Sequence, residues 1–243
     1  MSSSNKTTSD TLPPNFLLSK ANNIIVDRID FAKSAIPSYE GLYAVILDNV
    51  LSQDECRTLV QATEARTNGV WEPAMVNVGG GHQKLSLKTR NCGRVIWDDQ
   101  ELAVRIFERV RGHLPELEVL EVSRPRSKGQ RFKLTRPNER LRFLRYEAGN
   151  FFRAHCDGAY VEEKTGECSF YTFHLYLSDD TSKENLKGGA TTFHSWDMNT
   201  TIDIEPKVGR VLIFQHESML HSGADVLQGV KLTMRTDLMY QKQ

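Results

Sequence analysis

The residues of this sequence best able to do chemistry together are His155-Cys156-Asp157 and, well downstream, His221. His155 and Asp157 stand two apart in a stretch whose aromatic residues and flanking polar turns predict a strand over 151–157, and alternate side chains of a strand share a face. One strand then presents an imidazole and a carboxylate to one point. Cys156 should face the other way as a small buried hydrophobe. A His-x-Asp triplet is a weak signal alone. His221, in Met219-Leu220-His221-Ser222-Gly223, completes two histidines and one carboxylate. Such a facial triad leaves positions of an octahedral iron(II) open for a chelating co-substrate and O₂, whereas zinc sites more often take further protein ligands. In the strand after Gly229, Lys231 and Arg235 share a face, so either could reach inward to a carboxylate. A buried cation in an apolar strand needs such a partner. His216 reads as a loop or supporting residue, and His174 and His194 as satisfied histidines of strands.

Two helices and a run of strands must position these groups. Ser52-Gln53-Asp54-Glu55 is a capping-box pattern, and Cys56, Leu59, Val60 and Thr63 follow at helical spacing, which predicts a helix over 52–66 ended by Gly69. A second helix starts near Asp98-Asp99, carries Leu102, Ile106, Val110 and Leu114, and stops at Pro115. From Glu139 the period changes to that of strands, expected at 140–147, 151–157, 170–178, 190–195, 201–205, 210–215, 218–226 and 231–240. The fold class is therefore α+β, mainly β: a jelly roll or sandwich on a helical layer. Residues 1–21, rich in Ser, Thr, Asn and Pro, read as a flexible tail, and 22–243 as one domain with helical support over 22–138 and a jelly-roll core over 139–243. The segment 76–87, with Gly79–Gly81, reads as a flexible loop or loose hairpin beside the barrel mouth. Gly188-Gly189 reads as a tight turn. Phe170, Tyr171, Phe173 and Tyr176 read as core, with one hydroxyl near the site. Arg90, Asn91 and Arg94 lie in a polar segment that could fold over the mouth, where an arginine suits an acidic or phosphorylated substrate. The basic stretch 124–133 reads as a solvated loop.

Composition excludes several classes. Lys+Arg and Asp+Glu are equal at 31 each, so no global field recruits nucleic acid or an anionic membrane. With 39% hydrophobic and 26% charged residues among 243, the chain reads as a folded enzyme or binding domain rather than a disordered one. Cys56, Cys92, Cys156 and Cys168 form neither a zinc pattern nor a disulfide framework. The first residues lack a secretory signal, and no apolar run is long enough for a membrane span. A cytoplasmic or nuclear location is expected.

Four segments carry a family likeness: Arg145-Tyr146-Glu147-Ala148-Gly149-Asn150 running on to His155-Cys156-Asp157, Leu186-Lys187-Gly188-Gly189-Ala190-Thr191-Thr192-Phe193, Pro206-Lys207-Val208-Gly209-Arg210 leading to Phe214, and His221 to Lys231. Through them the chain resembles the iron(II)/2-oxoglutarate-dependent dioxygenases, and among these the prolyl 4-hydroxylase-like branch. The resemblance implies a double-stranded β-helix of cupin-like jelly-roll type, with His155, Asp157 and His221 as iron ligands. It also implies that Lys231 pairs with the distal carboxylate of 2-oxoglutarate, that the Tyr146 hydroxyl joins it, and that Arg235 assists or grips the substrate. The implied reaction converts 2-oxoglutarate and O₂ to succinate and CO₂ and hydroxylates a C–H bond of a small molecule or a peptidyl residue, with ascorbate as a reductant. Demethylation, desaturation or ring formation would use the same cofactors. Asp157 argues against halogenation, and the intact triad argues against a non-catalytic binding module. The absence of a secretory signal and of further domains weighs against a collagen-type role in the secretory pathway.

Overall fold

The computed structural model describes residues 12–77, 82–122, 129–179 and 185–243. Among them, two antiparallel sheets face each other across the site. The larger runs Ile25–Arg28, Ala44–Asp48, Val211–Gln215, Cys168–Tyr176, Val230–Lys242, Arg140–Glu147, Gly93–Asp98 and Glu72–Pro73, with Gln130–Pro137 added beside Val230–Lys242 and Val119–Val122 beside Gln130–Pro137. The smaller runs Thr201–Ile204, Thr191–His194, His221–Gly223, Phe151–His155 and Arg90–Asn91.

Alternation along the central strands explains how a site fits inside a packed protein. In Val230–Lys242, Leu232, Met234, Leu238 and Tyr240 belong to the main apolar core, while Lys231, Thr233 and Asp237 are buried on the opposite face beside Arg235. The neighbouring strand repeats the arrangement, with Phe173 and Leu175 in the core and Thr172 and His174 opposite. Helices α1 (Gln53–Arg66) and α2 (Gln100–Arg111) cover the apolar face through Leu59, Ala62, Leu102, Ile106 and Val110. The predicted capping box forms: Ser52 Oγ accepts from the Glu55 N–H at 3.2 Å and Glu55 Oε2 accepts from the Ser52 N–H at 2.8 Å. The same Glu55 carboxylate takes two bonds from the buried Arg109 guanidinium at 2.6 and 2.9 Å, which joins the start of α1 to α2.

The structure corrects several expectations. Segment 22–138 supplies strands as well as helices, including Ala44–Asp48 and Gly93–Asp98, whose apolar residues pack beneath the helices. Within the expected tail, Phe16 and Leu17 are buried and Arg105 donates to the carbonyls of Pro14 and Phe16, so an apolar pair docks this stretch on α2; residues 1–11 lie outside the described residues. Of the two readings of 76–87, the hairpin is the one found, Val76–Asn77 pairing with Gln83–Lys84, while Gly79–Gly81 lie outside the described residues. Of the stretch read as a solvated loop, residues 130–133 belong to the strand Gln130–Pro137, where Phe132 is buried, and 124–128 are not described. The strand expected at 218–226 is broken into His221–Gly223 and Val226–Gln228. Strand Phe151–His155 ends before Cys156, which therefore has no sheet face to pack on and is exposed rather than buried.

Gly209 is held in the left-handed region at φ +73°, and a Cβ there would stand 1.8 Å from the Leu51 carbonyl oxygen. Gly41 has φ +80° with nothing within 4 Å of a Cβ. Denaturant unfolding should therefore show Gly41→Ala losing about 1 kcal/mol and Gly209→Ala losing at least about 3 kcal/mol, because a backbone clash adds to the strain. Equal losses would contradict this packing.

Candidate metal centre

His155 and His221 are register partners on adjacent antiparallel strands, so their side chains leave one face side by side, with ring centroids 4.3 Å apart. The chain leaves the sheet after His155, and Asp157 turns inward from this irregular stretch to stand 3.6 Å from His155 Nε2 and 3.7 Å from His221 Nε2. One donor atom from each residue lies within 4.8 Å of the others. The shared face expected from strand alternation is thus reached without Asp157 being part of the strand. Tyr39 pins the strand that carries His221: its hydroxyl accepts from the Leu220 N–H at 2.9 Å and donates to the His194 carbonyl at 2.6 Å.

The protonation states suit metal ligation. Nδ1 of His155 lies 2.9 Å from the Arg153 carbonyl, and Nδ1 of His221 lies 3.0 Å from that of Met219. A carbonyl only accepts, so each Nδ1 carries the proton and each Nε2 lone pair faces its neighbours. Burial also lowers the His221 pKa to about 4, which keeps this ring neutral. Burial alone would raise the Asp157 pKa. The Arg235 guanidinium, followed by the two histidines, overrides it and holds the carboxyl well below its usual range. Arg235 Nη1 reaches Asp157 Oδ1 at 2.9 Å, and Thr172 Oγ1 donates to Oδ2 at 2.6 Å. Two imidazole Nε2 atoms and one ionised carboxylate converge here, a donor set that fits iron(II).

The same cavity fits a dicarboxylate. Lys231 is 3% exposed, and among the described residues no carboxylate lies within salt-bridge reach of it. Its Nζ stands 5.5 Å from the Tyr146 ring centre and 5.8 Å from that of Tyr176. Burial lowers its pKa to about 8. Buried His174 Nε2 has no hydrogen-bond partner, and its ring is held neutral by burial and by the nearby charges of Lys231 and Arg235. An unmatched buried ammonium beside an orphaned imidazole nitrogen is what the distal carboxylate of 2-oxoglutarate would satisfy. Gly189 makes room for the lysine, since a Cβ there would stand 3.2 Å from Lys231 Cδ.

Of the other residues singled out from sequence, Tyr146 and Arg90 line this cavity, whereas Asn91 opens on a separate surface groove and Arg94 faces Gln83 on the hairpin. Arg235 lines it too, with its guanidinium on Asp157 and, at 3.3 Å, on Asp237. His194 lies away from the triad, with Nε2 2.8 Å from Ser222 Oγ. Sequence reasoning missed Thr172 and Asp237, and it read as satisfied a histidine, His174, whose Nε2 has no hydrogen-bond partner. Alternation alone could have put Asp237 on the face of Lys231 and Arg235, but which face looks inward is decided by the helices on the far side.

Residues 141–236 match the sequence profile of the 2OG-Fe(II) oxygenase superfamily. A comparison with curated proteins finds no significant sequence match. Among solved structures, a Pseudomonas putida prolyl-4-hydroxylase superposes with a TM-score of 0.55 at 16% identity, covering 86% of this chain and 94% of its own. The viral collagen prolyl hydroxylase of Paramecium Bursaria Chlorella virus-1, in complex with 2OG, gives 0.53 at 19% identity, with 82% and 97% covered. A Trichoplax adhaerens prolyl hydroxylase bound to a hypoxia-inducible-factor peptide gives 0.53 at 14%, with 80% and 82% covered. At these identities the likeness is one of fold. The 141–236 segment thus resembles a 2OG-Fe(II) oxygenase domain, and the triad is assembled on a fold shared with prolyl 4-hydroxylases.

Proposed function

We propose that this enzyme hydroxylates an unactivated C–H bond, with His155, Asp157 and His221 holding iron(II) and Lys231 holding the distal carboxylate of 2-oxoglutarate. The observation that carries the reading is the placement, in one cavity, of a three-donor metal set and a buried ammonium that, among the described residues, makes no salt bridge. Bound iron(II) and 2-oxoglutarate supply the oxidising power from O₂, with release of succinate and CO₂. The chain's part is geometric. The carbonyls of Arg153 and Met219 set the imidazole tautomers, and Arg235 with Thr172 fixes the Asp157 carboxylate. Lys231, with Tyr146 beside its ammonium, orients the dicarboxylate so that its 2-oxo acid end faces the triad. Phe214 and Phe193 pack edge-on against His221 and keep water from that side. The Trichoplax neighbour binds a peptide, which makes a peptidyl residue as well as a small molecule a substrate class to screen.

His155→Ala and Asp157→Ala should abolish iron(II) binding measured by equilibrium dialysis, together with succinate formation, while the folded circular dichroism spectrum is kept. Lys231→Ala should retain iron and raise the 2-oxoglutarate requirement by tenfold or more, the scale of about one to two lost charge-assisted bonds. Full turnover in either triad variant would refute the assignment.

A pH dependence follows from Lys231. Only the ammonium form attracts a carboxylate, and burial places the midpoint of its loss near pH 8 in the ligand-free site. Affinity for 2-oxoglutarate should be level below pH 7, decline through pH 8, and approach a tenfold loss per unit above it. Calorimetry across pH 6.5–9.5 should show this decline with proton uptake on binding above about pH 8. A flat profile would contradict it.

A further inference from the structure

Among the described residues lining the cavity, the proposed cofactors leave one cation unmatched. Arg90 is 9% exposed and lines the same cavity as the triad. Its guanidinium carbon stands 4.5 Å from the centre of the Phe152 ring, which stacks on His155 at 3.7 Å and 24°. Guanidinium, phenyl and imidazole thus form a column that ends at a metal-ligating side chain.

The neighbours of Arg90 bring no carboxylate. Its Nε donates to Cys92 Sγ at 3.3 Å, and burial keeps the adjacent Tyr146 hydroxyl protonated. Among the described residues no Asp or Glu pairs with it. The other cations facing the cavity are accounted for: Arg235 lies on Asp157 and Asp237, and Lys231 is assigned to 2-oxoglutarate. Iron(II), ionised Asp157, a 2-oxoglutarate dianion and the Lys231 ammonium sum to zero charge. Arg235 is balanced by Asp237. With both cofactors in place, Arg90 is the cation left over, and a buried guanidinium is stabilised chiefly by a bidentate anion.

Resting on the iron(II)/2-oxoglutarate reading above, we propose that Arg90 binds the prime substrate through a carboxylate carried close to the oxidised carbon. A small carboxylic acid, a peptide C-terminus and an acidic side chain share this chemistry.

The test uses the full chain loaded with iron(II) and 2-oxoglutarate without oxygen, where a chelated 2-oxo acid absorbs in the visible. The probes are matched pairs: N-acetyl-L-amino acids against their carboxamides, N-acetylproline included, and N-acetylaspartate amide against N-acetylasparagine amide. Binding is read as a perturbation of the visible band, and succinate release on admitting oxygen is the second readout. At least one carboxylate member should bind tenfold or more tightly than its amide partner, the scale of a charge-assisted bond. Whether an α-carboxylate or the aspartate side chain shows the preference separates a chain terminus or free acid from an acidic residue. Arg90→Gln should erase the preference and Arg90→Lys should keep part of it, both leaving the 2-oxoglutarate requirement within about twofold. Equal binding of carboxylates and carboxamides, no perturbation by any carboxylate, or an unchanged preference in Arg90→Gln would overturn the proposal. So would a raised 2-oxoglutarate requirement in the Arg90 variants, which would assign Arg90 to the co-substrate. If Arg90→Gln does not fold, the wild-type comparison and Arg90→Lys still decide. Failure of the visible band to form in the wild type would instead refute the cofactor reading itself.

Discussion

An ionised carboxylate buried at the centre of a protein is the constraint around which this structure is arranged. Asp157 is buried and ionised, and an isolated buried charge is prohibitively costly. Arg235 and Thr172 meet its two oxygens, Asp237 meets Arg235 in turn, and Arg142 and His216 close on Asp237 at 3.2 and 3.5 Å. Burial would raise the Asp237 pKa, yet Arg235, His216 and Arg142 hold it well below the usual carboxylate range. The alternation of charge extends the stabilisation outward from the triad to the part-exposed guanidinium of Arg142, where water begins to help.

Such a chain of charges needs rigid backbone on both sides, and the larger sheet provides it. Arg142 and Arg235 are register partners, as are His174 and Arg235 and also Thr172 and Asp237. Three adjacent strands thereby supply most of the network. The other faces of these strands are pressed against α1 and α2, and the Glu55–Arg109 bond fixes the helices to each other. The smaller sheet then needs only to deliver two imidazoles and one guanidinium from short strands.

Much of this was legible in the sequence because it follows from local rules. The capping box at Ser52 and the strand Arg140–Glu147 come from spacing alone, and Lys231 and Arg235 share a face as their spacing requires, whereas Asp157 joins His155 from beyond the strand end. What escaped was set by tertiary context. The edge strand Ile25–Arg28 has little apolar pattern because it is largely exposed, and it exists because Ala44–Asp48 offers a ladder to pair with. Cys156 is exposed because the strand ends at His155, two residues short of the span its pattern predicts. Arg235 looked free to grip a small molecule until the fold put Asp157 against it, since a contact between residues so far apart in the chain leaves no local trace.

The central claim is that one cavity takes iron(II) through the triad and chelates 2-oxoglutarate beside it. An anaerobic titration of the iron(II)-loaded protein with 2-oxoglutarate, followed in the visible, addresses it most directly. The account predicts a charge-transfer band that saturates at one equivalent per iron and is absent when either component is omitted. A folded protein that binds both iron and 2-oxoglutarate but develops no band would show that the two do not meet, and would contradict it.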